Sequence, residues 1–345
     1  MSRQDPQSII GQSSSLLEVL DHVSRIGSLN RPVLVIGERG TGKELIAGRL
    51  HYLSQRWDQP FLKVNCAALP ETLLETELFG HEAGAFTGAT GRHMGRFERA
   101  DGGSLFLDEI ASMSARLQEK LLRVIEYGEF ERVGGTQTLQ TDVRIIGAAN
   151  MDLPMLAREG KFRADLLDRL AFDVITLPPL RARKDDIPLL AEQFAMDMIK
   201  ELKRDYFPGF TDSTLEQLVG YAWPGNIREL KNVVERAVYQ NSGNDPVDTL
   251  IFDPFASPYR ISESIKQDHK ATDIAESTPA QITNDISLPL NFKSHINDIE
   301  KDMLQQAMRL NRFHQRHTAE SLGLSYHQLR GYLKKYSLIG NEKKA

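Results

Sequence analysis

The strongest chemical signal in the chain is the run Gly37-Glu38-Arg39-Gly40-Thr41-Gly42-Lys43-Glu44. It follows Pro32-Val33-Leu34-Val35-Ile36, a short β-branched run suited to a buried parallel strand. It precedes Leu45 to His51, where apolar residues recur at helical spacing. Strand, glycine-rich turn and helix is the context in which G-x-x-x-x-G-K becomes a phosphate cradle. The glycines let backbone N–H groups converge, and the helix brings its positive dipole end to the same point. Lys43 would then reach the β- and γ-phosphates of a bound nucleotide. The pattern departs at its last letter: Glu44 stands where Ser or Thr would offer Mg²⁺ a hydroxyl.

A second signal is Leu105-Phe106-Leu107-Asp108-Glu109, an apolar strand ending in two carboxylates. Asp108 could hold Mg²⁺, directly or through water, and Glu109 could polarise a water for in-line attack on a γ-phosphate. Two acids at a strand end could also cap the helix that follows. Phe61 to Asn65 and Val143 to Asn150 read as further core strands. Asn65 and Asn150 fall at carboxyl ends, where parallel sheets place ligand groups.

These residues need elements to position them. Ile9 to Arg31 reads as a short entry and an amphipathic helix with Leu16, Leu17, Leu20 and Val23 on one face. Arg116 to Glu126 is a helix with Leu117, Leu121, Leu122 and Ile125 inward. In Glu77 to Ala89, glycines at 80, 84 and 88, with Gly91 beyond, oppose a stable helix. Phe86 sits mid-loop between these hinges, either exposed at a mobile tip or folded back into the core. Arg163 and Arg169 lie about 1.7 turns apart and so on different faces. They could be surface ion pairs with Asp165 and Asp168, and they need not serve one phosphate from within one chain.

Pro178-Pro179-Leu180-Arg181 breaks the fold, and Asp186 to Tyr239 is wholly helical in pattern, as in a small lid. Trp223-Pro224-Gly225-Asn226 turns the chain into a helix with Arg228 in its first turn. A cation there opposes the helix dipole and wants an external anion. Arg260 to Pro289 is polar and reads as a linker. Phe292 to Leu310 regains helical periodicity through Ile296, Ile299, Met303, Leu304 and Ala307. Gln315 to Lys334 fits a helix-turn-helix, with Ala319 at the crossing, Gly323 in the turn and Ser325 as cap. Its second helix offers Tyr326, His327, Gln328, Arg330 and Lys334 to base edges and phosphates. A three-helix dimerisation bundle is the competing reading of that segment.

The 345-residue chain has room for one large domain and a small one. No apolar run is long enough to span a membrane, and the first seven residues lack a signal core, so a cytoplasmic protein is expected. One cysteine, Cys66, excludes an internal disulfide and a cysteine-only metal site. From Asn311 to Ala345 seven basic residues face two acids, an excess of five positive charges in a chain of net charge −5. A basic tail on an acidic body points to the tail as the nucleic-acid contact.

Taken together, Gly37 to Glu44, Gly84-Ala85-Phe86-Thr87-Gly88-Ala89, Leu107 to Glu109, Phe162 to Leu170 and Trp223 to Leu230 resemble the bacterial enhancer-binding proteins. These are the AAA+ activators of sigma-54 RNA polymerase. The Gly-Ala-Phe-Thr-Gly-Ala sequence is close to private to that family, and a Glu after the loop lysine is usual in it. The absence of a regulatory domain ahead of the nucleotide fold is similar to the family's phage shock branch. The resemblance implies an α/β AAA+ subdomain over 1–178, a helical lid over 179–256, a linker over 257–290 and an all-α, Fis-like helix-turn-helix domain over 291–345.

It further implies that Gly37 to Lys43, with Glu44, Asn150 and the sensor II arginine Arg228, bind ATP. Asp108 orders Mg²⁺ and Glu109 activates water, while Asn65 restrains Glu109 until the γ-phosphate is sensed. Arg163 and Arg169 act as arginine fingers in a neighbouring subunit's site, which implies a homo-hexameric ring. Gly84 to Ala89, led by Phe86 and Thr87, touch sigma-54 in the RNA polymerase holoenzyme. The tail binds upstream enhancer DNA. A separate PspA-type inhibitor would provide control, with Trp57 as a contact, although a half-buried surface tryptophan is an equal reading. Rival functions are a nucleotide-gated DNA-binding repressor and another AAA+ remodelling ATPase.

Overall fold

The computed structural model describes residues 9–241, 245–256, 292–311 and 314–336. The linker expected at 257–290 lies outside the described residues, as do Arg312, Lys343 and Lys344 of the basic tail. The chain forms two compact units, Met1–Ile261 and Ser262–Ala345.

The first unit opens with α1 (Ser14–Gly27), β1 (Val33–Ile36), α2 (Lys43–Tyr52), β2 (Phe61–Asn65), α3 (Glu71–Phe79), α4 (Arg96–Arg99) and β3 (Ser104–Asp108). It continues with α5 (Ala115–Tyr127), β4 (Glu129–Glu131), β5 (Thr138–Gln140), β6 (Arg144–Ala149), α6 (Leu153–Arg158), α7 (Ala164–Leu170) and β7 (Val174–Thr176). The lid follows as α8 (Asp186–Glu201), α9 (Asp212–Gly220) and α10 (Asn226–Gln240).

Five strands make a parallel sheet in the order β2-β3-β6-β1-β7. Its strands are apolar nearly throughout because helices cover both faces. Alternation along each strand divides the core: Leu34, Leu105, Leu107 and Ile145 meet Phe79, Phe97, Leu117 and Leu121. Val33, Val35, Phe106, Ile146 and Ala148 meet Val23, Ile46 and Leu50 on the other side. The register sets Asn65 opposite Asp108 and Ile36 opposite Ala149. The ends of β2, β3, β6 and β1 therefore deliver Asn65, Asp108, Asn150 and Gly37 to one edge. In α1, Leu16 and Val23 are buried but Leu17 is 51% exposed, so the inward stripe is narrower than the periodicity implied. In α5, Val124 joins Leu117 and Leu121 in the core, while Leu122 and Ile125 are half-buried.

The lid packs around Trp223, which is fully buried and donates its indole N–H to Leu218 O at 2.8 Å. Tyr221 stands edge-on to Trp223 at 4.9 Å and stacks on Phe252 at 4.3 Å. Trp223→Ala would open the centre of this small core and is expected to cost about 3–5 kcal/mol, read as a lower denaturant midpoint in equilibrium unfolding. The entry segment ties lid to sheet. Ile9 packs with the sheet cluster and Ile10 with the lid cluster. Buried Asp186 accepts the N–H groups of Gln12 and Ser13 at 2.6 and 2.8 Å and the Ser13 hydroxyl at 2.7 Å.

The second unit holds α11 (Phe292–Leu310), α12 (Gln315–Ser321) and α13 (Tyr326–Lys335). Leu304, Met308, Ala319, Leu329 and Leu333 form its core. Met308 takes the inward place assigned to Met303, which is 57% exposed. The side chains of Ile296 and Ile299 lie outside the described residues. Gly323, at φ +66°, makes the left-handed turn that lets Leu324 N–H reach back to Ala319 O. Among the described residues, no helix is long and apolar enough to cross a membrane.

Candidate functional site

The phosphate loop leaves β1 at Gly37, whose N–H still pairs with Ala149 O at 3.1 Å. Gly40 and Gly42 take φ of +77° and +96°, open to glycine at little cost. Gly42 caps α2, and Lys43 is its first residue. The Lys43 ammonium is buried and donates to Gly37 O at 2.9 Å and Glu38 O at 3.1 Å. Burial lowers its pKa, and the nearby Asp108 and Glu109 work against that shift. The result is a charged donor held at the middle of the loop by carbonyls. Thr41 is buried, its hydroxyl turned back to Glu38 O at 2.8 Å. Glu44 pairs with Lys63 on β2 at 2.8 Å.

Asp108 ends β3 and accepts the Glu109 N–H at 3.0 Å. Glu109 has φ of +53°, an uncommon conformation for a non-glycine residue and a form of strain that gathers at functional sites. Asn65 does not hold Glu109 in this structure. Its amide donates to Asp108 Oδ2 at 3.4 Å, and its carbonyl oxygen accepts the Ala67 N–H at 2.9 Å. Arg39 stands near Glu109, with Nε 4.0 Å from Oε1. The physical reason is register: strand pairing puts Asn65 directly opposite Asp108, while the left-handed turn swings Glu109 on. Cys66 is next to this edge, but burial first, then Asp108 and Glu109, push its thiol up to about 12, so it is no nucleophile.

Loop, sheet edge and lid enclose a cleft of about 910 Å³. Lys43, Asp108, Arg183 and Arg228 line it, and Leu190, Phe194 and Ile227 give it an apolar side. That mixture of an apolar slot and a few polar groups suits a nucleotide. Arg228 lies in the first turn of α10, exposed and on the side facing the loop. Asn150 follows β6, half-buried, between the strands that carry Gly37 and Asp108. Among the described residues no cluster of three or more His, Cys, Asp or Glu side chains could hold a metal alone.

Arg163 and Arg169 do not line the cleft of their own chain. Arg163 caps α7 and pairs with Asp165 at 2.7 Å; Arg169 pairs with Glu126 on α5 at 2.6 Å, not with Asp168. Both are substantially exposed. Gly84 to Ala89 make a tight exposed turn, closed by Gly84 N–H to Ala89 O at 2.8 Å and Ala89 N–H to Phe86 O at 3.0 Å. Phe86 stays out of the core: it is 45% exposed, its ring 5.0 Å from His81. Thr87 is exposed and Ala89 buried. Sequence reasoning missed what holds the base of this turn. Arg132, 4% exposed, bridges Glu82 at 2.6 Å and Glu98 at 2.5 Å. Burial alone would raise the Glu98 pKa, but its bonds to Arg132 win and hold the carboxyl below the usual range.

In the second unit, Ser325 caps α13 in a capping box with Gln328. Gln328 Oε1 accepts both the Ser325 N–H and the Ser325 hydroxyl at 2.9 Å, so only its amide N–H groups are left for a base. His327, Arg330 and Lys334 are exposed, while Tyr326 is half-buried with its hydroxyl toward Gln315 at 3.4 Å. Arg330→Ala is expected to weaken duplex DNA binding and to lower the salt slope by about 1, measured by titration at several salt concentrations. Trp57 is 60% exposed, near exposed Tyr52 and Leu53.

Fold and cleft define a P-loop ATPase with a lid, and the second unit is a helix-turn-helix. Comparison with known proteins sharpens this. Residues 9–176 match the Sigma-54 interaction domain, 181–251 the AAA+ ATPase lid domain, and 296–336 the bacterial regulatory proteins of the Fis family. The chain is 56% identical over 331 residues to the Psp operon transcriptional activator of Escherichia coli (strain K12), covering 96% of this chain and 98% of that protein. It is 42% identical to the regulatory protein AtoC of the same organism, covering 96% of this chain and 68% of AtoC. Among solved structures, NtrX from Brucella abortus in complex with ATP superposes with a TM-score of 0.65 at 30% identity, over 96% of this chain and 70% of NtrX. The chain belongs to the sigma-54-dependent AAA+ transcription activators. It is an ATP-binding ATPase whose partners are sigma-54 and DNA.

Proposed function

We propose that this activator hydrolyses Mg-ATP at the boundary between protomers of a homo-hexameric ring, and uses each cycle to drive the Phe86–Thr87 turn against sigma-54. Its target, by likeness to the Psp operon activator, is a phage shock operon. The subdivision in this reading is an ATPase subdomain at 1–178, a lid at 179–256, a linker at 257–290 and a DNA-reading domain at 291–345.

Within the cleft, the Gly37 to Thr41 backbone and Lys43 hold the phosphates, and Arg228 with Asn150 senses the γ end. A Mg²⁺ ion fits the donor set, since such sites commonly use one or two carboxylates together with phosphate oxygens, and Asp108 supplies one. The ion would neutralise charge on the β- and γ-oxygens. Glu109 orients the attacking water and takes its proton. Asn65, seated on Asp108 in this structure, can exchange that partner for Glu109 when the phosphate end changes. Arg163 and Arg169 complete the neighbour's site, which makes turnover depend on assembly. In the DNA reader, Tyr326, His327, Gln328, Arg330 and Lys334 face enhancer DNA. Trp57, with its exposed neighbours, is offered as the contact for a PspA-type inhibitor.

The observation that carries this reading is the separation of parts. Lys43 and Asp108 line one cleft, with Glu109 following Asp108 at its edge. The two candidate fingers and the Gly84–Ala89 turn do not line it. A simple nucleotide-gated repressor needs neither. The test is open-complex formation by purified protein with sigma-54 RNA polymerase on promoter DNA. ATP is expected to support it, and a non-hydrolysable analogue is not. Equal opening with both would overturn the hydrolysis-driven mechanism.

A further inference from the structure

The phosphate loop is gripped from the lid along its length. The Glu38 carboxylate receives both terminal nitrogens of Arg181, at 2.8 and 2.6 Å, and the Asn226 amide at 3.1 Å. The same amide reaches Arg39 O at 3.0 Å, while Asn226 Oδ1 accepts the Leu180 N–H at 2.8 Å. Ile227 N–H donates to Gly40 O at 3.0 Å, and Arg183 to Thr41 O at 3.2 Å. Each residue from 38 to 41 is thus tied to the lid. The approach is close: a Cβ on Gly40 would lie 2.3 Å from Gly225 O.

Asn226 is fully buried and holds φ of +53°, a conformation that Asn tolerates better than most residues. None of these contacts involves Lys43, Asp108 or Glu109, so the chemistry already described leaves them without a task. We propose that Arg181, Asn226 and Glu38 form a positioning latch that sets the lid against the phosphate loop, making nucleotide affinity depend on an ion pair that does not line the cleft. The inference rests on the cleft being the nucleotide site.

The physical case is preorganisation. A loop with two left-handed glycines is pliable, and its N–H groups bind phosphate well only when they already converge. A two-pronged Arg–carboxylate contact fixes orientation as well as distance. Arg183, Ile227 and Arg228, which line the cleft, belong to the same two lid segments as Arg181 and Asn226. Holding those segments therefore places a whole wall of the site. The Arg181 hydrogen bonds, then that of Asn226, bring the Glu38 pKa down to about 2, which keeps the carboxylate charged at neutral pH. The pair is half-exposed, and its worth lies in geometry more than in raw attraction.

The test is calorimetric titration of ADP into the full chain carrying Arg181→Ala, Glu38→Gln or both. Each single variant is expected to raise the ADP Kd about fivefold, at the low end of coupling between linked sites, and the double variant no further than either single one. Arg181→Lys should recover part of the loss, because one ammonium replaces a two-pronged fork. Unchanged Kd values, or losses that add in the double variant, would overturn the latch. If Arg181→Ala does not fold, Arg181→Lys and Glu38→Gln carry the same comparison. Lys43→Ala separates the two levels. If it loses ADP while the latch variants bind normally, the latch alone fails; if it binds ADP normally, the reading of the cleft fails and the latch with it.

Discussion

Arg169→Ala is expected to reduce ATP turnover by about 10³- to 10⁵-fold, the range an arginine finger contributes in comparable phosphoryl-transfer enzymes. ATP binding should remain measurable, because Arg169 does not line the cleft of its own chain. Its present partner is Glu126 at 2.6 Å, an exposed pair of small energetic worth. The side chain can leave that partner for a neighbour's phosphate at little cost, and loss of the pair should leave folding nearly unchanged. The decisive measurement is steady-state hydrolysis beside equilibrium ATP binding on the same preparation. A mixing experiment adds a readout that a structural role would not produce. Arg169→Ala protomers mixed with Lys43→Ala protomers should regain part of the activity, since every boundary that sets an Arg169→Ala cleft against the finger of a Lys43→Ala neighbour has both halves intact. Turnover close to that of the unaltered protein would refute the assignment.

The second large effect is at the exposed turn. Thr87→Ala is expected to abolish sigma-54-dependent open-complex formation while leaving ATP hydrolysis within about twofold, as for an exposed substitution with no packing role. Thr87 is exposed at the tip, between Gly84 at φ +81° and Gly88 at φ +103°. It makes no contribution to the core, so its loss should be felt only by a partner. The measurement pairs promoter opening with ATPase rate. Retained opening would remove the turn from the contact with sigma-54. A parallel fall in ATPase would mean that the turn reports back to the cleft, and Arg132, which clamps its base through Glu82 and Glu98, would then be the natural relay.

Gly37 to Lys43 could be read at once because a phosphate loop is a local object: its glycines, lysine and flanking strand and helix are contiguous. The same holds for Asp108 and Glu109 after β3, and for the Ser325 cap with Gly323 before it. The latch could not be read, because Glu38 and Asn226 are separated by 188 positions and meet only when the lid closes on the loop. Arg132 was equally hidden, since one arginine among 42 basic residues carries no mark of burial. Periodicity also misassigned particular side chains. Leu17 and Met303 lie on the right helices, but a stripe in sequence does not say how wide the covering neighbour is, and both are exposed.

Motifs whose parts touch along the chain needed only local chemistry, and so the class of reaction, the strand-to-helix cradle and the capped DNA-reading helix were present in the order of residues. Contacts that depend on long-range closure were not. That Asn65 rests on Asp108 and not on Glu109 follows from a strand register, which is a property of two segments packed side by side. That the lid holds the phosphate loop by Arg181, Arg183 and Asn226 follows from where the segment before α8 and the start of α10 come to rest. Burial and register are set by the whole fold at once, and no stretch of sequence carries them alone.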